Sequence, residues 1–454
     1  MFQVKSKKKY EIDMCNGPIL KKMLLFAIPL VCSGVLQLLF NAADIIVVGR
    51  FAGDNSLAAV GATTSLINLL VNFFMGISIG ANVLVARYYG SKQKNELDET
   101  VHTAITISIV GGFVLTIIGM IFAPTFLAWM KTPGEIAELA AIYLRVYFVG
   151  MIPMLIYNYG AAILRAVGDT QRPLYYLIVA GVINVTCNLF FVIVLKWGVF
   201  GVGLATTISQ TISALLVIRC LVKGEGTVKL DLQKLRVNKN KLYRILQIGI
   251  PAGLQSTLFS ISNVMIQSSI NSFGEIVVAG NAAAANIEGF VYMAMNAFYQ
   301  ANISFTSQNF GAGKYERINR ILITSLVCVT VVGAITGGGV YLIGPTLLGI
   351  YTESKAVIEA GMIRFGYLAL PYALCGIMEA FVGSLRGMGY VMQPMIVSSL
   401  GVCGIRLLWI ATIFQMEQFH TTHMLYVIYP ISWVITILAH MTTYIIVHRR
   451  VIKK

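Results

Sequence analysis

Charge is what this chain has least of. Only 12% of its 454 residues are Asp, Glu, Lys or Arg, against about 25% in soluble domains. A chain that is also 57% hydrophobic has too much apolar surface for water, which excludes a soluble globular domain. Cysteine is sparse and scattered: Cys15, Cys32, Cys187, Cys220, Cys328, Cys375 and Cys403 form no Cys-x-x-Cys pair. They read as small apolar residues rather than disulfides or metal ligands. Of five histidines only His420 and His423 lie close together, and two without a third ligand do not make a metal site. No His-Glu-x-x-His, no Gly-x-x-x-x-Gly-Lys and no clustered His, Asp or Ser site occurs. These absences exclude that metalloprotease chemistry and direct use of ATP, so the chain is not expected to be an enzyme or to need a cofactor.

What is present is long apolar runs. Twelve are about as long as a helix that crosses a bilayer: 24–48, 58–86, 101–123, 136–160, 174–195, 198–222, 243–271, 276–307, 318–343, 357–384, 394–415 and 424–448. Barrel strands would be much shorter and would alternate. The fold class is therefore an all-α integral membrane protein of twelve transmembrane helices. The first run is too long for a cleavable signal peptide and follows 22 polar or mixed residues.

The net charge of +15 suggests nucleic acid until its distribution is considered. With the N-terminus inside, 27 of the 34 Lys and Arg fall on cytoplasmic segments. Four lie opposite (Arg50, Lys131, Lys196 and Lys355), and three lie within or at the ends of spans (Arg145, Arg364 and Arg406). This asymmetry predicts both termini in the cytoplasm and no nucleic-acid partner. The stretch Lys5–Lys9 and the basic residues of 223–242 set topology or also meet anionic lipid head groups.

The chain repeats itself. Leu-Arg-x-x-Gly-x-x-x-x-Pro occurs as Leu164, Arg165, Gly168, Pro173 and again, 221 residues on, as Leu385, Arg386, Gly389, Pro394. Pro29 answers Pro251, and Gly90 answers Gly311. Six spans per copy is an even number, so the copies are parallel and related by a pseudo-two-fold along the membrane normal. The expected organisation is a cytoplasmic segment 1–22, an N-lobe 23–222, a basic linker 223–242, a C-lobe 243–448 and a tail 449–454. The linker, with Gly224 and Gly226, reads as a connector that lets two bundles rock. Pro29 and Pro251 each kink the first span of a copy, either as a moving bend or as a static one. Arg165 and Arg386 read as structural turn residues.

Ionisable groups inside spans are costly and so are functional candidates. Gln37, Asn41 and Asp44 share one face of span one by i, i+4, i+7 spacing. Asn68 and Asn72 on span two, Asn184 and Asn188 on span five, and Thr206 and Gln210 on span six extend this polar lining. Asp44 is its carboxylate. It can carry a proton, bind sodium or pair with a cationic substrate; alternatively it reaches water and pairs with Arg50. In the second copy Ile266 stands where Asp44 would be, so the halves are chemically unequal. Glu288 and Arg406 are expected to pair there, with Glu379 the other possible partner, as a structural tie or as part of ion coupling. Tyr157, Asn158, Tyr292 and Tyr299 add groups suited to lipophilic ligands, or simply pack helices.

At this point the sequence resembles the multidrug and toxic compound extrusion (MATE) transporters. The resemblance rests on Pro29, Asn41-Ala-Ala-Asp44 with Gly49, the loop around Gly90, Leu164 to Thr170, Gly201-x-Gly203-x-Ala205-Thr206 and the second Leu385-Arg386-Gly387-Met388-Gly389. It implies two six-helix lobes in the inner (plasma) membrane and antiport: inward H+ or Na+ drives export of organic cations and other amphiphiles, with no metal beyond a coupling Na+. It implies coupling at Asp44, with Asn184 and Thr206 matching and Asn188 standing where proton-coupled members often carry Asp. Asp44 then works alone or with Glu288. A lipid-linked saccharide flippase of the same superfamily is the alternative, weakened by Arg406 being the only arginine expected at mid-depth. The expected partners are small organic cations or amphiphiles and the bilayer, for a protein acting as a monomer.

Overall fold

The computed structural model describes residues 10–130, 132–224 and 228–452. Lys5–Lys9, Lys131 and Gly226, named above, lie outside them. Among the described residues all regular structure is helical. In chain order the helices are α1 (Ile19–Phe51), α2 (Asp54–Gly90), α3 (Lys94–Trp129), α4 (Gly134–Val149), α5 (Met151–Ala166), α6 (Gln171–Leu189) and α7 (Gly198–Lys223). The second half follows with α8 (Lys239–Asn271), α9 (Glu275–Gly311), α10 (Tyr315–Leu342), α11 (Gly344–Gly349), α12 (Lys355–Tyr367), α13 (Tyr372–Gly387), α14 (Met392–Ser398), α15 (Ile405–Ala411) and α16 (Thr422–Ile452).

The count agrees with twelve spans. Nine stretches are long and apolar enough to cross a membrane, and two bent pairs, α4 with α5 (45°) and α12 with α13 (44°), raise this to eleven among the described residues. The twelfth is α8, which falls short on hydropathy because polar residues such as Gln255, Ser262, Asn263 and Gln267 stud it. It is 33 residues long, as is α1 at the same place in the first copy. This is a multi-pass membrane protein of the all-α class.

The duplication is visible in the backbone. Helices α2 and α9 are both 37 residues long, and α5 and α13 both 16. Gly53 and Gly274 open α2 and α9 at φ of 85° and 87°. The two Leu-Arg-x-x-Gly segments end their helices identically. Gly168 (φ 97°) donates to the Arg165 carbonyl at 3.0 Å and Asp169 donates to Leu164 at 2.9 Å. Gly389 (φ 90°) donates to Arg386 at 2.8 Å and Tyr390 donates to Leu385 at 2.9 Å. This 5→2 and 6→1 pair closes a helix over a left-handed residue, where glycine avoids a Cβ clash. Arg386 is buried, with Nη2 on Gln255 Oε1 at 2.8 Å and Nη1 on Tyr299 Oη. It is a packing residue, as expected.

By internal contacts the chain forms two compact units. One comprises 1–13 and 35–250, the other 14–34 and 251–454. The first turns of α1 thus belong with the second copy's helices, and those of α8 with the first copy's, so the compact units exchange these ends relative to the six-and-six sequence division. Helix α8 changes unit at Pro251, and α1 at Val35, six residues after Pro29. Within the first unit, α8 packs closely on α2. A Cβ on Gly249 would lie 2.6 Å from the Ile77 Cα, and one on Gly80 would collide with the Ile245 carbonyl. Small residues allow this approach, as at helix crossings in membranes generally. Gly249→Leu should therefore lower stability by about 1–3 kcal/mol through overpacking. Gly61→Ala, where nothing lies within 4 Å of the added carbon, should not. Melting midpoints in detergent check both.

The linker is not the free connector that its composition suggests. Val228 and Leu230 are buried in the first unit. The Asp231 amide donates to His102 Nε2 (3.0 Å), the Asn238 amide to Thr103 Oγ1 (3.2 Å) and Asn238 Nδ2 to Glu99 Oε2 (2.8 Å). All three acceptors belong to the start of α3. Lys241 pairs with Glu96 one turn earlier. Residues 228–242 are therefore tied to the first unit by specific bonds.

Candidate functional site

In the first unit the polar face of α1 meets α6. Asn188 Nδ2 donates to Asp44 Oδ1 and, at 3.4 Å, to Asn184 Oδ1. Asn188 is 0% and Asn184 5% exposed, so the amide pair is dry and Asp44 sits half-buried at its edge. The i, i+4 spacing of the two asparagines puts both on one face of α6, which ends one residue past Asn188. Asp44 forms no ion pair with Arg50 among the described residues. Tyr143 and Tyr147 on α4, with rings 5.9 Å apart, belong to the apolar cluster that holds Val47 and Val48 of α1. Nothing in the sequence spacing had marked these two, because their relation to α1 is purely tertiary. The result is a carboxylate bonded to one buried amide, on a stretch of α1 whose next turn packs in an apolar cluster.

Other sequence candidates fall in varied places. Gln37, Asn41 and Asn68 are exposed on the unit, and Asn72, Thr206 and Gln210 are half-buried. Thr206 Oγ1 bonds its own helix at the Val202 carbonyl (3.1 Å). Asn158 is buried on α5. Tyr157 donates to the Pro173 carbonyl at 3.0 Å, and Tyr299 bonds Arg386. Both hydroxyls are thus bonded within their own unit, that of Tyr157 to α6 and that of Tyr299 to α13.

The second unit holds a partly open cavity of about 340 Å³ between α8, α9, α12, α13, α15 and α16. Tyr292 is on its wall, and Glu288, Glu379, Arg364 and Arg406 supply its charges. The pairing differs from the expected one. Glu288 bonds Arg364, not Arg406: Nη2 meets Oε2 at 2.7 Å, and Nε lies 3.1 and 3.2 Å from the two oxygens. Arg364 Nη1 also donates to Asn281 Oδ1 at 2.5 Å, which takes a second bond from Tyr426 at 3.1 Å. Glu288, Asn281, Arg364 and Tyr426 thus form one network over α9, α12 and α16. Asn281 and Glu288 are seven residues apart, on one face of α9, a signal the sequence did carry. Arg364 was legible only as an arginine near a span end. Arg406 instead lies over the Tyr429 ring, 4.1 Å from its centroid, and its Nε donates to Ser432 Oγ at 2.9 Å. Two arginines line this cavity, Arg406 buried and Arg364 partly buried, where one was expected.

Comparison with known proteins places this arrangement. The sequence matches the MatE family over residues 29–190 and 251–410, which are corresponding stretches of the two copies. The chain belongs to that family. It is 28% identical over 394 residues to the probable multidrug resistance protein YoeA of Bacillus subtilis, covering 85% of each chain. It is 21% identical over 374 residues to the multidrug export protein MepA of Staphylococcus aureus, covering 82% of this chain and 83% of that one. Among solved structures, MATE in complex with MaD5 superposes with a TM-score of 0.90 at 21% identity, over 99% of this chain and 100% of that one. An outward-facing multidrug resistance MATE transporter of the MOP superfamily gives 0.87 at 23% identity, over 96% and 97%. At these identities the structural likeness establishes the fold.

Proposed function

We propose that the protein is a secondary active multidrug efflux antiporter of the plasma membrane with both termini cytoplasmic. It exports cationic or amphipathic organic compounds in exchange for inward H+ or Na+ by alternating access. Membership of the MatE family and relatives named for multidrug resistance and export support the transport class. The single observation that carries the coupling site is the Asp44–Asn188–Asn184 cluster. A carboxylate held among buried amides and apolar side chains changes its charge at high energetic stake, so its ionisation and the binding of a cation compete.

The cycle runs as follows. In the outward-open state a proton, or a sodium ion, neutralises Asp44 and a cationic substrate loses its counter-charge and leaves. Access then switches to the inside, the ion departs, and the bared carboxylate accepts a new cation from the cytoplasm or inner leaflet. Asn188 steadies the carboxylate by its hydrogen bond but takes no proton at working pH, so one carboxylate handles coupling in this unit. The second unit's cavity sets two guanidiniums against two carboxylates, with Glu288 compensating Arg364. The additional arginine therefore does not make the cavity cationic, and the saccharide flippase reading stays second.

The test is efflux of ethidium from proteoliposomes under a pH gradient and, separately, under a sodium gradient. Faster efflux under one gradient identifies the coupling ion. Equal rates with and without both gradients would remove the antiport reading.

A further inference from the structure

Arg406 is 5% exposed, lines the second unit's cavity and forms no ion pair among the described residues. Its contacts account for one nitrogen and one face: Nε reaches Ser432 Oγ at 2.9 Å, the Tyr429 centroid lies 4.1 Å and the Trp433 centroid 5.9 Å from its central carbon. Glu288, the carboxylate expected to compensate it, is held by Arg364. Glu379 lines the same cavity without bonding to Arg406. A guanidinium cannot shed its proton to escape the cost of burial. Cation–π contact offsets about 2 kcal/mol when desolvated, less than the several kcal/mol that burying an ion costs.

We propose that Arg406 receives the anionic group of a small aromatic carboxylate bound in this cavity. Ser432 fixes the side chain through Nε, and the Tyr429 face backs the guanidinium, so Nη1 and Nη2 are left for the two oxygens of one carboxylate. That planar two-bond match is the geometry for which arginine is suited. The cavity volume of about 340 Å³ lies within the range of small-molecule sites, roughly 300–1,000 Å³. Phe259, Tyr292, Tyr372 and Trp433 on its wall supply aromatic surface for the remainder of the ligand. The inference goes beyond the antiport reading, since binding in the cavity requires no gradient and no export. Its consequence for an exporter is a ligand range that includes anionic and zwitterionic compounds beside cations.

Calorimetric titration of the full-length protein in neutral detergent tests it, with 2-naphthoate, its neutral isostere 2-naphthalenemethanol and the cation 2-naphthylmethylamine. The expected result is that wild type binds naphthoate at least tenfold more tightly than the alcohol. Arg406→Gln should abolish that preference, and Arg406→Lys, which keeps the charge but not the fork, should reduce it. Glu379→Gln should strengthen naphthoate binding by removing a like charge from the wall. Equal affinity for naphthoate and the alcohol in wild type, or no heat with any of the three, overturns the proposal. So does a preference that persists in Arg406→Gln. If Arg406→Gln does not elute as folded protein, the wild-type ratio and its change in Arg406→Lys decide. A failure of gradient-driven ethidium efflux leaves this result untouched, so the two readings stand or fall separately.

Discussion

Asp44→Asn should leave the protein folded and reduce gradient-driven export to the level of empty liposomes. The amide has nearly the shape of the carboxylate and can still accept the hydrogen bond from Asn188 Nδ2, so packing around α1 and α6 survives. What is lost is the ability to alternate between anion and neutral acid. Without it, neither the entering ion nor a cationic substrate has a charge to compete for. The effect on coupled transport is therefore close to complete, while the melting midpoint changes little, because the replaced anion was itself costly in this setting. The decisive measurement pairs ethidium efflux with size-exclusion and melting profiles of the same preparation. Full efflux by a well-folded mutant would take Asp44 out of the coupling role. Asn188→Asp probes the same cluster from the other side. It sets a second carboxylate at bonding distance from Asp44, and two carboxylates at one site cannot both ionise freely. The coupled rate should then shift its pH dependence, whereas Asn188→Ala should mainly loosen the site.

Much of this molecule is written in its sequence because the bilayer punishes exceptions. Apolar length fixes the spans, and twelve runs reappear as spanning helices or bent pairs. The Leu-Arg-x-x-Gly repeat is legible for a local reason: a helix that closes over a left-handed residue favours glycine, so Gly168 and Gly389 persist in both copies. The i, i+4 pair Asn184 and Asn188 was legible because both sit on one helix. Less could be read across helices. Nothing along the chain says which face of α12 meets α9, so Arg364 was passed over and Arg406 assigned to Glu288 by estimated depth alone. The linker misled for a similar reason. Lys and Gly made it look free, while the groups that hold it, Glu99, Thr103 and His102, belong to α3. The bends between α4 and α5 and between α12 and α13 also went unread, although Gly150 and Pro371 stand at the breaks.

The second large effect concerns the Glu288–Arg364 pair. Removing one partner leaves a charge buried with nothing opposite, which costs about 3–5 kcal/mol. Glu288→Gln strands the guanidinium, and Arg364→Met strands the carboxylate while taking a donor from Asn281 Oδ1. Each should lower folded yield and melting midpoint sharply. The double variant Glu288→Gln/Arg364→Met buries no orphan charge. Asn281 keeps its bond from the Tyr426 hydroxyl, and methionine refills most of the space that the arginine stem occupied. Most of the lost stability should therefore return, a coupling well outside the ~0.5 kcal/mol within which independent sites add. The control is Glu288→Gln combined with Arg406→Leu. If Arg406 were the true partner, that pair would show the rescue. In the observed geometry it should not, because Arg406 rests on Tyr429 and Ser432 and its loss does nothing for Arg364. Rescue confined to the Arg364 pair would also separate a structural tie from a coupling role, since the neutral double variant should then still export under a gradient.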